Sequence, residues 1–270
     1  MLPNFLVIGA PRSGTTWIEE NLRKHPDVFL PVKKELHFFD RHYDLGIAHY
    51  ESCFADWAGQ KAVGEATPDY LHGAYSRNDI PALISRHLPG AKLIASVRNP
   101  VDRVYSRYWN SVAKYDENDG LTFEQKLRSR PQFIAEGYYV DQLERYYALF
   151  PPEQILVLLY DELVDDARAF LRRICAFIGV DPEFSTGFES ARINTAAGKN
   201  KLARSRALWL ASRMLSRLNL HGLSTRLSFA NSVPMPPMSP ATRSYLVDVY
   251  RDKNLALGRL IGRDLEVWNR

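Results

Sequence analysis

The amino-acid sequence predicts an α/β fold: a single domain with a central parallel β-sheet flanked by helices. Two observations carry that expectation. Short apolar runs without in/out alternation recur along the chain, as in strands buried on both faces. Segments of helical periodicity lie between them, and strands alternating with helices assemble into parallel, doubly wound sheets.

Taken in order, Phe5-Leu6-Val7-Ile8 reads as the first strand and residues 17–24 as the helix after it. Ala62-Val63-Gly64 and Leu93-Ile94-Ala95-Ser96-Val97 read as further strands, the second followed by a helix over residues 103–113. A helix over residues 140–150 precedes the strand Ile155-Leu156-Val157-Leu158-Leu159, and Ala167–Ile178 reads as the next helix. The tail predicts helices over residues 203–218 and Pro240–Ile261. Between them, Val233-Pro234-Met235-Pro236-Pro237-Met238 is too rich in proline for a helix and reads as a surface loop. The last helix is too small to stand alone and no internal repeat divides the chain, so residues 1–270 are read as one domain.

Composition narrows the class. At about 150 residues per domain, 270 residues leave room for one large domain or two small ones. Hydrophobic residues at 46% and charged residues at 24% supply a core and exclude wholesale disorder. No apolar run approaches the ~18 residues of a membrane span, and the N-terminus lacks the features of a secretory leader. Two distant cysteines, Cys53 and Cys175, indicate neither a disulfide framework nor a zinc cluster. A soluble protein of a reducing, cytoplasmic compartment is expected. The net charge of +4 (35 − 31) is unevenly spread: residues 190–247 hold nine basic residues and no acid. The remainder is therefore 26 basic against 31 acidic, and an anionic partner near one region is implied.

Gly9-Ala10-Pro11-Arg12-Ser13-Gly14-Thr15-Thr16-Trp17 follows the first strand and opens a helix. Unpaired N–H groups and the positive dipole end meet there, so the turn suits a phosphate. The glycines allow a tight turn, Thr15 and Thr16 add hydroxyls, and Arg12 adds a delocalised charge. Thr15 stands where a nucleoside triphosphatase has its lysine, and no strand ends in acids suited to magnesium.

Pro11-Arg12-Ser13-Gly14-Thr15-Thr16-Trp17 resembles the phosphosulfate-binding loop of sulfotransferases that use 3′-phosphoadenosine 5′-phosphosulfate (PAPS). The resemblance implies a P-loop-like fold, PAPS as sulfuryl donor, PAP as product and a metal-independent reaction. It places Arg12, Ser13, Gly14, Thr15 and Thr16 on the donor, with Arg12 where the family usually has lysine. Trp17 is either a tryptophan stacked on adenine or a core side chain.

Leu93 to Val97 runs on into Arg98-Asn99-Pro100, and Ser106 lies about two helical turns beyond Arg98. Arg98 would leave the carboxyl end of a parallel strand, where α/β sheets place ligands. The segment is similar to the family's 3′-phosphate site, which implies that role for Arg98 and Ser106. Arg103 and Arg107 read as solvated helix charges. Lys199, Lys201 and Arg204 resemble the family's late basic loop, and Tyr138 its aromatic residue near the nucleotide.

Lys33-Lys34-Glu35-Leu36-His37-Phe38-Phe39-Asp40 is a dense polar and aromatic cluster. Sulfuryl transfer to an alcohol needs a base at the acceptor hydroxyl and positive charge on the leaving group. Glu35 fits the base, His37 an assisting group, Asp40 a partner fixing the histidine, and Arg12 the leaving-group cation. The pattern is similar to heparan sulfate and related carbohydrate sulfotransferases, which implies those same roles for Glu35, His37 and Asp40. One departure stands out: Gly64-Glu65-Ala66-Thr67 carries Ala66 where those enzymes have lysine, so Arg12 or Lys33 would have to supply that charge. Glu65 is either a second polar group near the acceptor or a structural acid.

The leading expectation is a cytoplasmic, bacterial sulfotransferase acting in line on a hydroxyl of a carbohydrate, lipid or other metabolite, with no nucleic-acid partner and no transmembrane anchor. A nucleotide or metabolite kinase and a non-enzymatic polyanion-binding protein are the alternatives.

Overall fold

A computed structural model describes residues 1–113, 119–185 and 236–270, with the strands at 201–203 and 232–234 and positions 208, 210, 211 and 214. Its centre is a five-stranded, all-parallel sheet in the order β2-β3-β1-β4-β5. The strands are β1 (Phe5–Gly9), β2 (Val28–Phe29), β3 (Ala62–Ala66), β4 (Lys92–Val97) and β5 (Ile155–Leu159). β1 and β3 are buried along their whole length, as their unbroken apolar character requires.

Alternate side chains serve two cores. Leu6, Ile8, Leu93 and Ala95 face a layer that includes α2 (Phe38–Arg41), α4 (Ile80–His87), α8 (Tyr139–Tyr147) and the C-terminal helix Pro240–Ile261. Phe5, Val7, Ile94 and Leu158 face α1 (Thr15–Leu22), α9 (Tyr160–Asp165) and α10 (Ala167–Ile178). A third cluster joins α5 (Pro100–Ala113), α6 (Phe123–Ser129) and α7 (Pro131–Ala135) to the C-terminal helix through Val104, Phe123, Phe133 and Leu246. Among the described residues, no helix is long and apolar enough to cross a membrane.

The expected strands and the helices at Ala167–Ile178 and Pro240–Ile261 are present, each helix with a physical start. Asp166 caps α10 by accepting from the Arg168 and Ala169 N–H groups, and Ser239 caps the last helix through the Thr242 N–H. Several boundaries differ from the sequence expectation. α5 begins at Pro100 rather than at residue 103, because proline suits the first helical position and Asn99 Oδ1 accepts the Val101 N–H at 3.0 Å. Ala203 closes a strand paired antiparallel with Ser232–Pro234, so no helix starts there and the proline-rich stretch begins as a strand. The short elements β2, α2, α3 (Ile47–Ser52), α4, α6, α7 and α9 went unforeseen. They span too few turns for periodicity to register.

β1 is central, and the chain crosses from its β3 side to its β4 side. The crevice beyond the carboxyl ends of β1 and β4 is thus the topological switch point, where open α/β sheets take ligands.

Candidate active site

Residues 10–14 link β1 to α1 at this switch point. The Ala10 N–H donates to the Ser96 carbonyl at 2.7 Å, and Ser96 Oγ donates to the Ser13 carbonyl at 2.6 Å, so β4 fastens the loop at both ends. Gly14 has φ +89°, and a Cβ there would lie 2.7 Å from Leu163 Cδ2. A Cβ on Gly9 would lie 2.5 Å from that of Leu71. Both positions require glycine. α1 begins at Thr15 without a side-chain cap, leaving its first N–H groups to serve an anion.

Arg12 turns from this loop toward α5. Its Nε donates to Ser106 Oγ at 3.0 Å and its Nη1 to Asn110 Oδ1 at 3.2 Å. Burial, then the charges of Arg98 and Arg107, pull its guanidinium down to about 10. Three guanidinium groups therefore act on one another beside a loop built for an anion. An anion bound among them would relieve that repulsion. Arg98 lies over the Tyr160 ring, 4.9 Å from its centroid.

The opposite wall carries the acid/base candidates. Glu35 stands 53% exposed, and its Oε2 lies 3.5 Å from His37 Nε2, while His37 Nδ1 lies 2.9 Å from Asp40 Oδ2. Burial disfavours the imidazolium, but the hydrogen bonds to Asp40 and Glu35 prevail and push His37 up to about 9. Arg12, Glu35 and His37 are the non-glycine residues described with positive φ, at 71°, 52° and 54°. Left-handed backbone at non-glycine residues is costly and gathers at functional sites.

A cleft of about 470 Å³ contains both walls, lined by Pro11, Arg12, Thr15, Thr16, Glu35, His37, Arg41, Pro68, Asp69, Arg107 and Asn110. Asp69 accepts from Arg41 Nη2 at 2.7 Å and faces His72 Nε2 at 3.3 Å. Burial would raise its carboxyl, yet His72, Arg107 and Arg41 hold it well below the usual range. His37, Asp40 and Asp69 bring ligand atoms within 4.8 Å of one another. Arg41 already spans both carboxylates, with Nε 3.4 Å from Asp40 and Nη2 2.7 Å from Asp69.

The structure thus brings Arg12, Thr15, Thr16, Glu35 and His37 into one cleft, with Asp40 and Ser106 directly behind them. Ser13 and Gly14 shape the loop. Trp17 is 4% exposed and meets Phe170 edge to face, 6.0 Å between centroids. Tyr138 packs on Tyr250 and beneath Lys253, away from the cleft lining. Lys199, Arg204 and the Lys201 side chain lie outside the described residues.

Arg103 is no solvated charge. It is fully buried, with Nη1 2.9 Å from Glu136 Oε2. Arg107, expected to face solvent, lines the cleft. Glu65 is buried, 2% exposed, and engaged by buried hydroxyls. Among the described residues, the arginines lining the cleft are Arg12, Arg41 and Arg107, and Lys33 is not one of its lining residues. Arg41, Asp69, Arg107 and Asn110 were missed. Helical spacing held a signal for two of them, since Asn110 lies one turn beyond Ser106 and Arg107 one turn beyond Arg103.

Sheet, loop and arginine cluster define an α/β protein shaped to hold an anionic ligand at its switch point. Residues 2–201 match the sulfotransferase domain family, and the chain belongs to that family. It is 33% identical to human heparan sulfate glucosamine 3-O-sulfotransferase 3B1 over 186 residues, 66% of this chain and 46% of that protein. Against the human bifunctional heparan sulfate N-deacetylase/N-sulfotransferase 3 it is 27% identical over 292 residues, 100% of this chain and 31% of that protein. The chain spans less than half the length of these curated relatives. Among solved structures, a sulfotransferase from Alicyclobacillus acidocaldarius matches with a TM-score of 0.73 and 26% identity, covering 100% of both chains. A mouse sulfotransferase complexed with PAP shares the fold, with a TM-score of 0.50, 21% identity and coverage of 73% of this chain and 64% of that one.

Proposed function

We propose that this chain transfers a sulfuryl group from PAPS to a hydroxyl of a polar, carbohydrate-type acceptor. The observation that carries this reading is the meeting, in one cleft, of a crowded guanidinium cluster with the Glu35–His37–Asp40 chain. The donor supplies an activated sulfuryl group, joined to phosphate through a bridging oxygen. The loop amides, Thr15, Thr16 and Arg12 hold the 5′ end, where negative charge grows on the leaving phosphate. Arg98 and Ser106 hold the 3′-phosphate. Glu35 takes the proton of the acceptor hydroxyl as its oxygen bonds to sulfur and the sulfur–phosphate oxygen bond breaks. His37, charged and braced by Asp40, steadies the Glu35 carboxylate. The charged and polar lining of the cleft favours a polyhydroxyl acceptor over an apolar alcohol or phenol. The relatives named for heparan sulfate support a glycan. A reducing, cytoplasmic setting belongs to the same proposal, supported by Cys53 and Cys175 as free thiols.

Labelled PAPS offered with glucosamine-containing oligosaccharides, simple sugars and a phenol tests this. Label should pass to the saccharides, and Glu35→Ala should lower the rate about 10²- to 10⁴-fold, the usual value of a positioned base. Failure of the wild-type chain to bind PAP or PAPS sinks the donor assignment. Wild-type turnover by Glu35→Ala sinks the base.

A further inference from the structure

Glu35 and His37 hold left-handed backbone on either side of Leu36, at φ 52° and 54°. Alternation of this kind turns successive N–H groups toward one point and forms a concavity that suits an anion. Behind that point lies Glu65 at the end of β3, a carboxylate only 2% exposed. Tyr50 Oη and Tyr70 Oη donate to its Oε1 at 2.7 and 3.0 Å, and Thr67 Oγ1 donates to its Oε2 at 2.7 Å. Burial raises the Glu65 carboxyl, while these hydroxyls and the Leu36 backbone act the other way and favour its charged form. Two of the hydroxyls pass the connection on: Thr67 Oγ1 accepts the His37 N–H at 3.4 Å, and Tyr70 Oη accepts the Phe38 N–H at 2.9 Å. Two consecutive amides, those of His37 and Phe38, therefore end on Glu65 through one hydroxyl each.

From this network we infer that Glu65 is a positioning residue: its buried carboxylate holds the backbone of residues 35–38 in the strained form that aims Glu35 and His37 into the cleft. A carboxylate is the one side chain that offers several acceptor sites and no donor. A glutamine would turn two N–H donors on groups that already donate. The inference rests on the reading of Glu35 as the base, and it links β3 to catalysis although Glu65 does not line the cleft.

The test compares wild type with Glu65→Gln, and with Thr67→Val, which cuts one limb of the relay. Amide hydrogen exchange at residues 36–38 reports the relay without any acceptor. The expected result is fast exchange there in Glu65→Gln, with protection in β1 and β4 retained. PAP affinity should stay within about twofold while kcat falls about 100-fold, the scale of a mispositioned group. In a Glu35→Ala background, Glu65→Gln should change kcat less than about twofold, since the two act through one group. Thr67→Val should follow in the same direction by a smaller factor. Wild-type exchange at residues 36–38 in Glu65→Gln overturns the inference. So does a kcat loss that multiplies with that of Glu35→Ala, or a loss of PAP binding in step with activity. A wild-type chain that sulfates no acceptor removes the base reading, and exchange at residues 36–38 then decides the relay by itself.

Discussion

At the scale of single residues, the cleft gathers groups whose charge states lean on one another. His37 is the clearest case, pushed to about 9 by Asp40 and Glu35 against its burial. A folded-state value above the unfolded ~6.5 means that the fold favours the protonated ring. That stabilisation is fully present below about pH 6.5 and disappears as pH rises through about 9. Melting temperatures of wild type and His37→Gln should therefore differ near about pH 6 and converge near about pH 10. A gap that widens toward high pH would contradict the assignment. The residue types of this wall were legible in the sequence, because Glu35, His37 and Asp40 sit within six positions of one another. Asp69 and Arg41 were not, since their meeting depends on the turn after β3 coming beside α2. A sequence pattern carries no record of such a meeting.

At the scale of elements, α1 and α5 follow the two strands that flank the switch point, each set by one decisive contact. Gly14 starts α1 in a conformation that costs about 1–2 kcal/mol for a residue with a Cβ, before the Leu163 clash is counted. Gly14→Ala should lower both the melting temperature and PAP affinity, measured by thermal melts with and without PAP. α5 is anchored by the buried Arg103–Glu136 pair, which Tyr75 Oη joins at 2.7 Å from Glu136 Oε1. Glu136 draws the Arg103 guanidinium higher in spite of burial, while Arg103 in turn draws Glu136 lower. Removing one partner leaves an uncompensated buried charge, so Glu136→Ala should cost about 3–5 kcal/mol in chemical denaturation. It should also weaken PAP binding, because Ser106 ride on the same helix as Arg103. Strand positions were readable because two-sided burial leaves unbroken apolar runs. Arg103 was misread for a related reason: an arginine among charged neighbours looks solvated until its buried acid, 33 positions away, is known.

At the scale of the whole molecule, charge is the organising quantity. Arg12, Arg41 and Arg107 line the cleft, in a chain whose net charge is only +4. Fields of this kind speed the arrival of anions and fade with salt. Association of PAP, followed by stopped flow, should slow about tenfold or more between low and high ionic strength. Indifference to salt would count against the guanidinium cluster as the donor site. The parallel sheet and its layering followed from the alternation of strand and helix. The strand order did not, because pairing between β1 and β4 joins segments about ninety residues apart. The basic stretch of residues 190–247 falls largely outside the described residues, so the fold accounts for its charge only as far as Arg243, which pairs with Asp102 at 2.5 Å.

The bond from Arg12 to Ser106 spans 94 positions of sequence and crosses the seam between β1 and β4. The proposed donor site therefore comes into being only once that seam has closed, and an unfolded chain cannot bind there. By mass action, PAP at 100 times its dissociation constant should stabilise the folded state by about 2.7 kcal/mol. The donor would act as a clasp on the middle of the sheet. Catalytic turnover would then carry a mechanical signature, a seam held shut while PAP is bound and eased as it leaves.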